Sequence, residues 1–194
     1  MPTVKPKTTK TNRTLSYYDD VSYTLSDLRR VNLFGEVNAA MFSHVENSLA
    51  YQTALNREKP IHIILNSPGG IVIDGFAIYD VITHYAKRTP IHITAKGACM
   101  SMAVIILQAA TLRLASPNTQ FLLHEVNYGN RGSLSSHKDE LEQTAKLQKK
   151  LDDVIVGRSG ITQAELSKLI ERRDYTINAQ EALKHKLIDA IISR

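Results

Sequence analysis

One cysteine, Cys99, is all that the 194 residues contain. A lone thiol cannot close an internal disulfide or build a multi-cysteine metal site, so bridge-stapled secreted scaffolds are excluded and a reducing, cytoplasmic compartment is the default. No run reaches the roughly 18 uncharged apolar residues that a membrane span needs, which predicts a soluble protein with no membrane partner. The opening segment has no apolar core of the kind a secretory signal carries and no amphipathic Arg-rich face, so it is read as neither export signal nor transit peptide. No G-x-x-x-x-G-K-[ST] segment occurs, and N-S-P-G-G followed by I-V-I-D lacks a phosphate-binding lysine. A nucleotide site is not expected, nor any cofactor or metal.

A deficit of acidic residues is confined to the start. Lys5, Lys7, Lys10 and Arg13 lie in a stretch without Asp or Glu, and setting these four aside lowers the formal charge from +5 to about +1. The basic balance is therefore a tail effect and gives no argument for nucleic acid. Residues 1–16 are expected to form a flexible basic tail, with one globular domain over 17–194 and order beginning near Tyr17.

Within that domain the hydrophobic pattern alternates between strand and helix. Arg30 to Phe34 reads as a short strand ending at Gly35, and Asn38 caps a helix to about Asn56 with Met41, Val45 and Leu49 at helical spacing. Ile61 to Leu65 is a nearly continuous apolar run, as in strands covered on both faces, and it ends in N-S-P-G-G. A helix from about Asp74 to Ala86 follows, then a strand Ile91 to Ala95 reaching Gly97, then an apolar segment opened by Ser101. Strand, helix, strand, helix implies parallel strands with right-handed crossovers, hence an α/β fold. Further on, Arg113 to Ala115 and Gln120 to His124 read as strands, and Asn127 to Ser136 as a Gly-containing loop. A charged helix with a narrow apolar stripe runs from about Ser136 to Val156, ended by Gly157 and Gly160. Capping signals at Thr162 and Asn178 open two short helices with Arg-Arg-Asp-Tyr-Thr between them, and Leu187 to Ile192 closes the chain as a strand.

Two strand-to-helix corners thus fall on the carboxyl edge of one sheet, where α/β folds bind ligands. Gly69 and Gly70 at the first corner form either a simple tight turn or a close backbone approach that aims an N–H at a ligand oxygen. Ser101 at the second is either a helix N-cap or a nucleophile. Taken together the corners offer what acyl transfer needs: a hydroxyl, and backbone donors where an oxyanion forms, with the amide of Met102 as the natural second donor. Of seven histidines, His124 alone ends an apolar strand directly before a polar loop, which singles it out as the base. Asp174, read alone, is a solvated loop carboxylate or an ion-pair partner.

Six blocks carry a family resemblance: L-N-S-P-G-G at Leu65, G-F-A-I-Y-D at Gly75, G-A-C-M-S-M-A at Gly97, P-N-T-Q-F-L-L-H at Pro117, R-D at Arg173 and A-Q-E-A at Ala179. In order and spacing they resemble the Clp protease proteolytic subunit, the ClpP family, over about Arg30 to Ile192. The resemblance implies a crotonase-like α/β fold of repeated β-β-α units with a projecting handle helix. It implies a serine endopeptidase with Ser101 as nucleophile, His124 as general base and Asp174 orienting the histidine. Gly70 and Met102 supply the oxyanion hole, and a peptide is expected to lie extended along Gly69, Gly70, Ile71 and Val72.

As partners the resemblance implies polypeptide substrates, further copies of the chain in a sevenfold ring stacked in pairs to a tetradecamer, and a separate AAA+ unfoldase. The chain departs from the usual family pattern at Met100, Ala103, Val126 and Arg172, the last standing where an acidic residue is usual. Two further enzyme classes fit the same corners: a phage or viral protease that processes capsid or scaffold proteins, and a crotonase-like acyl-CoA enzyme.

Overall fold

The computed structural model describes residues 25, 27–127, 129 and 131–192. The expected tail over 1–16 and the start of order near Tyr17 lie outside them. The elements are β1 (Arg30–Phe34), α1 (Ala39–Leu55), β2 (Ile61–Ser67), α2 (Val72–Ala86), β3 (Ile91–Met100), α3 (Met102–Gln108), β4 (Leu112–Ala115) and β5 (Gln120–Leu123). They are followed by α4 (Leu134–Arg158), α5 (Gln163–Ile170), β6 (Tyr175–Asn178), α6 (Ala179–Lys184) and β7 (Ala190–Ile191).

The parallel α/β arrangement expected from the alternation is present. One sheet runs β1-β2-β3-β4-β7 with every pairing parallel. Val31, Leu33, Ile61, Ile63, Leu65, Ile91, Ile93 and Ala95 are buried at its centre. β2 has three consecutive buried residues, Ile63, Ile64 and Leu65, which fits a strand covered on both faces. Asn38 caps α1, its side chain accepting the Met41 N–H at 3.0 Å. A cap of this kind contributes about 1 kcal/mol.

β3 is longer than the sequence suggested. It continues past Gly97 to Met100, and at that glycine it changes partner. Its first half pairs with β2 and β4, whereas Ala98 to Met100 pair with β5, and β2 stays alongside through Ser67 opposite Cys99. Gly97 has φ +69, and the Ala98 N–H donates to Asn66 Oδ1 at 3.0 Å. The strand exchanges β4 for β5 across this left-handed residue, a conformation that glycine adopts with least strain.

Several expected boundaries move. α2 begins at Val72 rather than near Asp74, directly after the Gly-Gly corner. α4 begins at Leu134, capped by Ser133, and runs through Gly157 to Arg158, so Gly157 does not end it. A glycine costs at most about 1 kcal/mol in a helix, and Gly157 is the last residue but one of 25. The terminal strand shrinks to Ala190–Ile191, because Leu187 and Ile188 are buried in the core from a turn rather than a ladder. The Arg-Arg-Asp-Tyr-Thr stretch, read as a loop, contains the start of β6, which pairs antiparallel with β5. Four residues with no alternation beyond Ile177 gave no strand period to detect.

α4 projects for half its length. Of its 25 residues only Asp152 and Ile155, both in the last two turns, are buried, while Leu134 and Leu141 stand exposed. Both later capping signals form as expected: Thr162 with Glu165 at the head of α5, and Asn178 with Glu181 at the head of α6, are complete capping boxes.

Candidate active site

Topology delivers three residues to one sheet edge. β3 and β5 are parallel, with Met100 opposite Leu122, so both strands end at the same level, one on Ser101 and the other on His124. β6 is antiparallel to β5, with Leu123 opposite Tyr175. His124 and Asp174 are the residues that flank this last pair, one after β5 and the other before β6.

Ser101 sits where an N-cap belongs, yet its hydroxyl caps nothing in α3. Its backbone is at φ 52, ψ −123, a strained conformation for a residue with a side chain. The Ser101 N–H donates to Leu122 O at 2.8 Å, which fixes the corner against β5. Oγ then lies 2.8 Å from Nε2 of His124. The hydroxyl thus meets the histidine and does not cap the helix. A sharp strand-to-helix turn that exposes a serine next to an imidazole is the geometry of an activated nucleophile.

The Gly-Gly corner is packed against this turn. A Cβ on Gly69, at φ +96, would stand 2.7 Å from Ser101 Cβ, 2.8 Å from Met100 O and 3.1 Å from Met102 N. A Cβ on Gly70 would overlap Val37 O. Both positions therefore require glycine for close approach as well as for φ. The Gly69 N–H is taken by Ser67 Oγ at 3.1 Å, while the Gly70 N–H makes no hydrogen bond among the described residues. Met102 is the first residue of α3, and its N–H has no partner within the helix. Two backbone donors are thus available on either side of the serine. Gly75 leaves room for Met102, whose Cγ a Cβ there would overlap.

Asp174 is exposed, and no hydrogen bond joins it to His124. The turn that carries it is held by its neighbours. Arg172 has φ 57 and donates its N–H to Glu125 Oε2 at 3.3 Å, and the Arg173 guanidinium donates to Leu169 O and Lys168 O at the end of α5. Ser101 and His124 are brought into contact, and Asp174 is brought to the same edge without contact.

A cavity of about 300 Å³ opens beside Ser101 and His124. Gly70, Val72 and Met102 line its near side, while Leu151, Ile155, Leu166 and Ile170 come from α4 and α5. Gln148 and Asp152 also line it, and sequence reading passed over both. The signal was available: they lie four residues apart on the same α4 face as Leu151 and Ile155, a polar pair within an apolar stripe. Among the described residues, no three His, Cys, Asp or Glu side chains gather as a metal site would require.

The family model described as Clp protease matches residues 12–194, which takes in every element that builds this edge. The chain therefore belongs to the Clp protease family, a family of serine-type peptidases, and has its α/β fold.

Proposed function

We propose that this chain is a serine endopeptidase that hydrolyses unfolded polypeptides as the proteolytic subunit of an ATP-dependent Clp-type protease. The observation that carries the reading is the 2.8 Å contact between Ser101 Oγ and His124 Nε2 at a strained corner. His124 takes the Ser101 proton as Oγ bonds to the peptide carbonyl carbon, and the carbonyl oxygen becomes an oxyanion held by the N–H groups of Gly70 and Met102. The C–N bond then breaks as His124 returns the proton to the leaving amine. Water, deprotonated by the same imidazole, releases the acyl group and restores Ser101. Asp174, across the strand pair from His124, holds the imidazole tautomer and stabilises the imidazolium.

Substrate lies extended along Gly69, Gly70, Ile71 and Val72, bound mainly through main-chain hydrogen bonds. Ile71 and Ile73 are exposed at this corner, apolar surface that a bound chain covers. The projecting half of α4, with Leu134 and Leu141 exposed one heptad apart, supports assembly with further copies into a sevenfold ring, stacked in pairs. Opening a folded substrate domain takes about 5–15 kcal/mol, which hydrolysis at an enclosed site does not supply beforehand, so a separate AAA+ unfoldase completes the machine.

The test combines a serine-reactive fluorophosphonate, a peptidase assay and native mass measurement on one sample. Labelling at Ser101, cleavage of short unstructured peptides without ATP and an oligomeric mass are expected. Ser101→Ala should abolish labelling and lower hydrolysis by several orders of magnitude, and residual activity within about tenfold of the parent would remove Ser101 from the mechanism. Digestion of a stable folded protein without a partner would instead favour a freely acting processing protease.

A further inference from the structure

Along β2 and β3 the core is filled by Ile61, Ile63, Ile91 and Ile93, all fully buried, so strand alternation turns His62 and His92 to the opposite face of the sheet. His62 is exposed there and His92 half-buried. The two are cross-strand partners in the parallel β2-β3 register, at the end of β3 remote from Ser101. Their rings stand edge to face, with centroids 5.2 Å apart and planes at 80°. Among the described residues, no hydrogen bond engages a nitrogen of either ring. Two phenyl rings would serve an aromatic contact equally well; what two imidazoles add is a pair of nitrogen lone pairs on one open face.

We propose that His62 and His92 form an exchangeable zinc(II) site whose remaining positions are taken by water. The inference is independent of the peptidase reading. Zinc binds imidazole nitrogens tetrahedrally at about 2.0 Å, and with about 1.2 Å from each nitrogen to its ring centre the two centroids come to about 5.2 Å. The paired strands already hold the rings at that separation. What remains is rotation about χ2, a soft torsion in histidine, to aim one nitrogen of each ring at the shared point. Two imidazoles fall short of the three-residue sets that hold a resident metal, which leaves the site open to solvent and the ion free to exchange. The neighbours across the sheet act in the same sense. Arg30 lies opposite His62 in the β1-β2 register, its Nε donating to Asn32 Oδ1 at 3.1 Å, and its positive charge opposes tight cation binding. Leu112 lies opposite His92 and brings no charge.

The experiment titrates zinc sulfate into the full chain and into its His62→Gln and His92→Gln variants at about pH 8, where imidazole is neutral, and follows binding by calorimetry. X-ray absorption on the zinc-loaded wild type reads the shell directly. One zinc per chain is expected, with a dissociation constant below about 0.1 mM and a shell of two imidazole nitrogens and two oxygens at about 2.0 Å. Each variant should weaken binding by about tenfold or more, since it loses one of only two protein ligands. Circular dichroism reports whether each variant is folded, and the wild-type absorption spectrum decides the question if one is not. Variants that bind zinc as tightly as the wild type overturn the inference and place the metal on other histidines. A wild-type shell without two imidazoles overturns it as well, as does a wild type that takes up no zinc at about 1 mM.

Discussion

Nε2 of His124 lies 2.8 Å from Oγ of Ser101, although 23 positions separate the two residues in the chain. The distance is set by backbone: β3 and β5 are parallel neighbours that end at one level, and the Ser101 amide is tied to Leu122 O. Side-chain rotamers then need to close only the last step.

The corner that achieves this is strained, and the strain is measurable. At φ 52, ψ −123, Ser101 occupies a region that costs a side-chain-bearing residue about 1–3 kcal/mol, whereas the extra unfolded-state freedom of glycine costs about 0.5–1 kcal/mol. The larger effect decides the sign. Ser101→Gly should be more stable than Ser101→Ala by about 1 kcal/mol in denaturant unfolding, with neither variant hydrolysing peptides. Equal midpoints for the two would show that the backbone there is relaxed.

Asp174 directly precedes Tyr175, the residue paired with Leu123, but is exposed and makes no hydrogen bond to His124. Asp174→Asn should therefore leave the melting temperature unchanged while lowering kcat by about 10²-fold or more, as expected for a group that orients a base. A variant with full activity would detach Asp174 from catalysis. A fall in activity that merely follows lost stability would assign it a structural role.

Cys99 is completely buried two residues before the serine, and burial pushes its thiol well above the ordinary range. The native protein should resist a thiol-alkylating reagent at neutral pH under conditions that label Ser101 with fluorophosphonate. Alkylation should follow global unfolding, since this is the sole cysteine. Rapid modification of the native fold, measured by intact mass, would contradict the packing around β3.

Asp189 joins the end of the chain to the core. Burial acts to raise its carboxyl, but hydrogen bonds from the Arg113 side chain and backbone outweigh this and hold it below the ordinary value. The Arg113 guanidinium also donates to Gln108 Oε1 and Arg158 O, so one buried cation links β4, α3, α4 and the β7 approach. A carboxyl lowered in the folded state contributes stability that is fully present above its unfolded pKa, near 4. The contribution is lost as pH falls through the lower folded value. Asp189→Asn should destabilise the protein at pH 7, and its deficit relative to wild type should shrink below about pH 4. A deficit independent of pH from 7 to 3 would mean that charge plays no part in this contact.

Local sequence determined the parallel α/β class and the caps at Asn38, Thr162 and Asn178, which follow from apolar periodicity and a side-chain oxygen facing a free helix N–H, whereas the glycine requirement at Gly69 and Gly70 was decided by their close approach to Ser101 and Val37. The candidates Ser101 and His124 were also legible, because each ends a strand on the edge where α/β sheets bind ligands. Tertiary structure decided whether Ser101 caps its helix or meets a histidine, since that depends on β3 leaving β4 for β5 at Gly97. It likewise decided the position of Asp174 through β6, a strand too short to show a period of its own. Asp152 was legible only as a polar position, paired with Gln148 within the Leu151–Ile155 stripe, and the packing of α4 and α5 decided that it is buried.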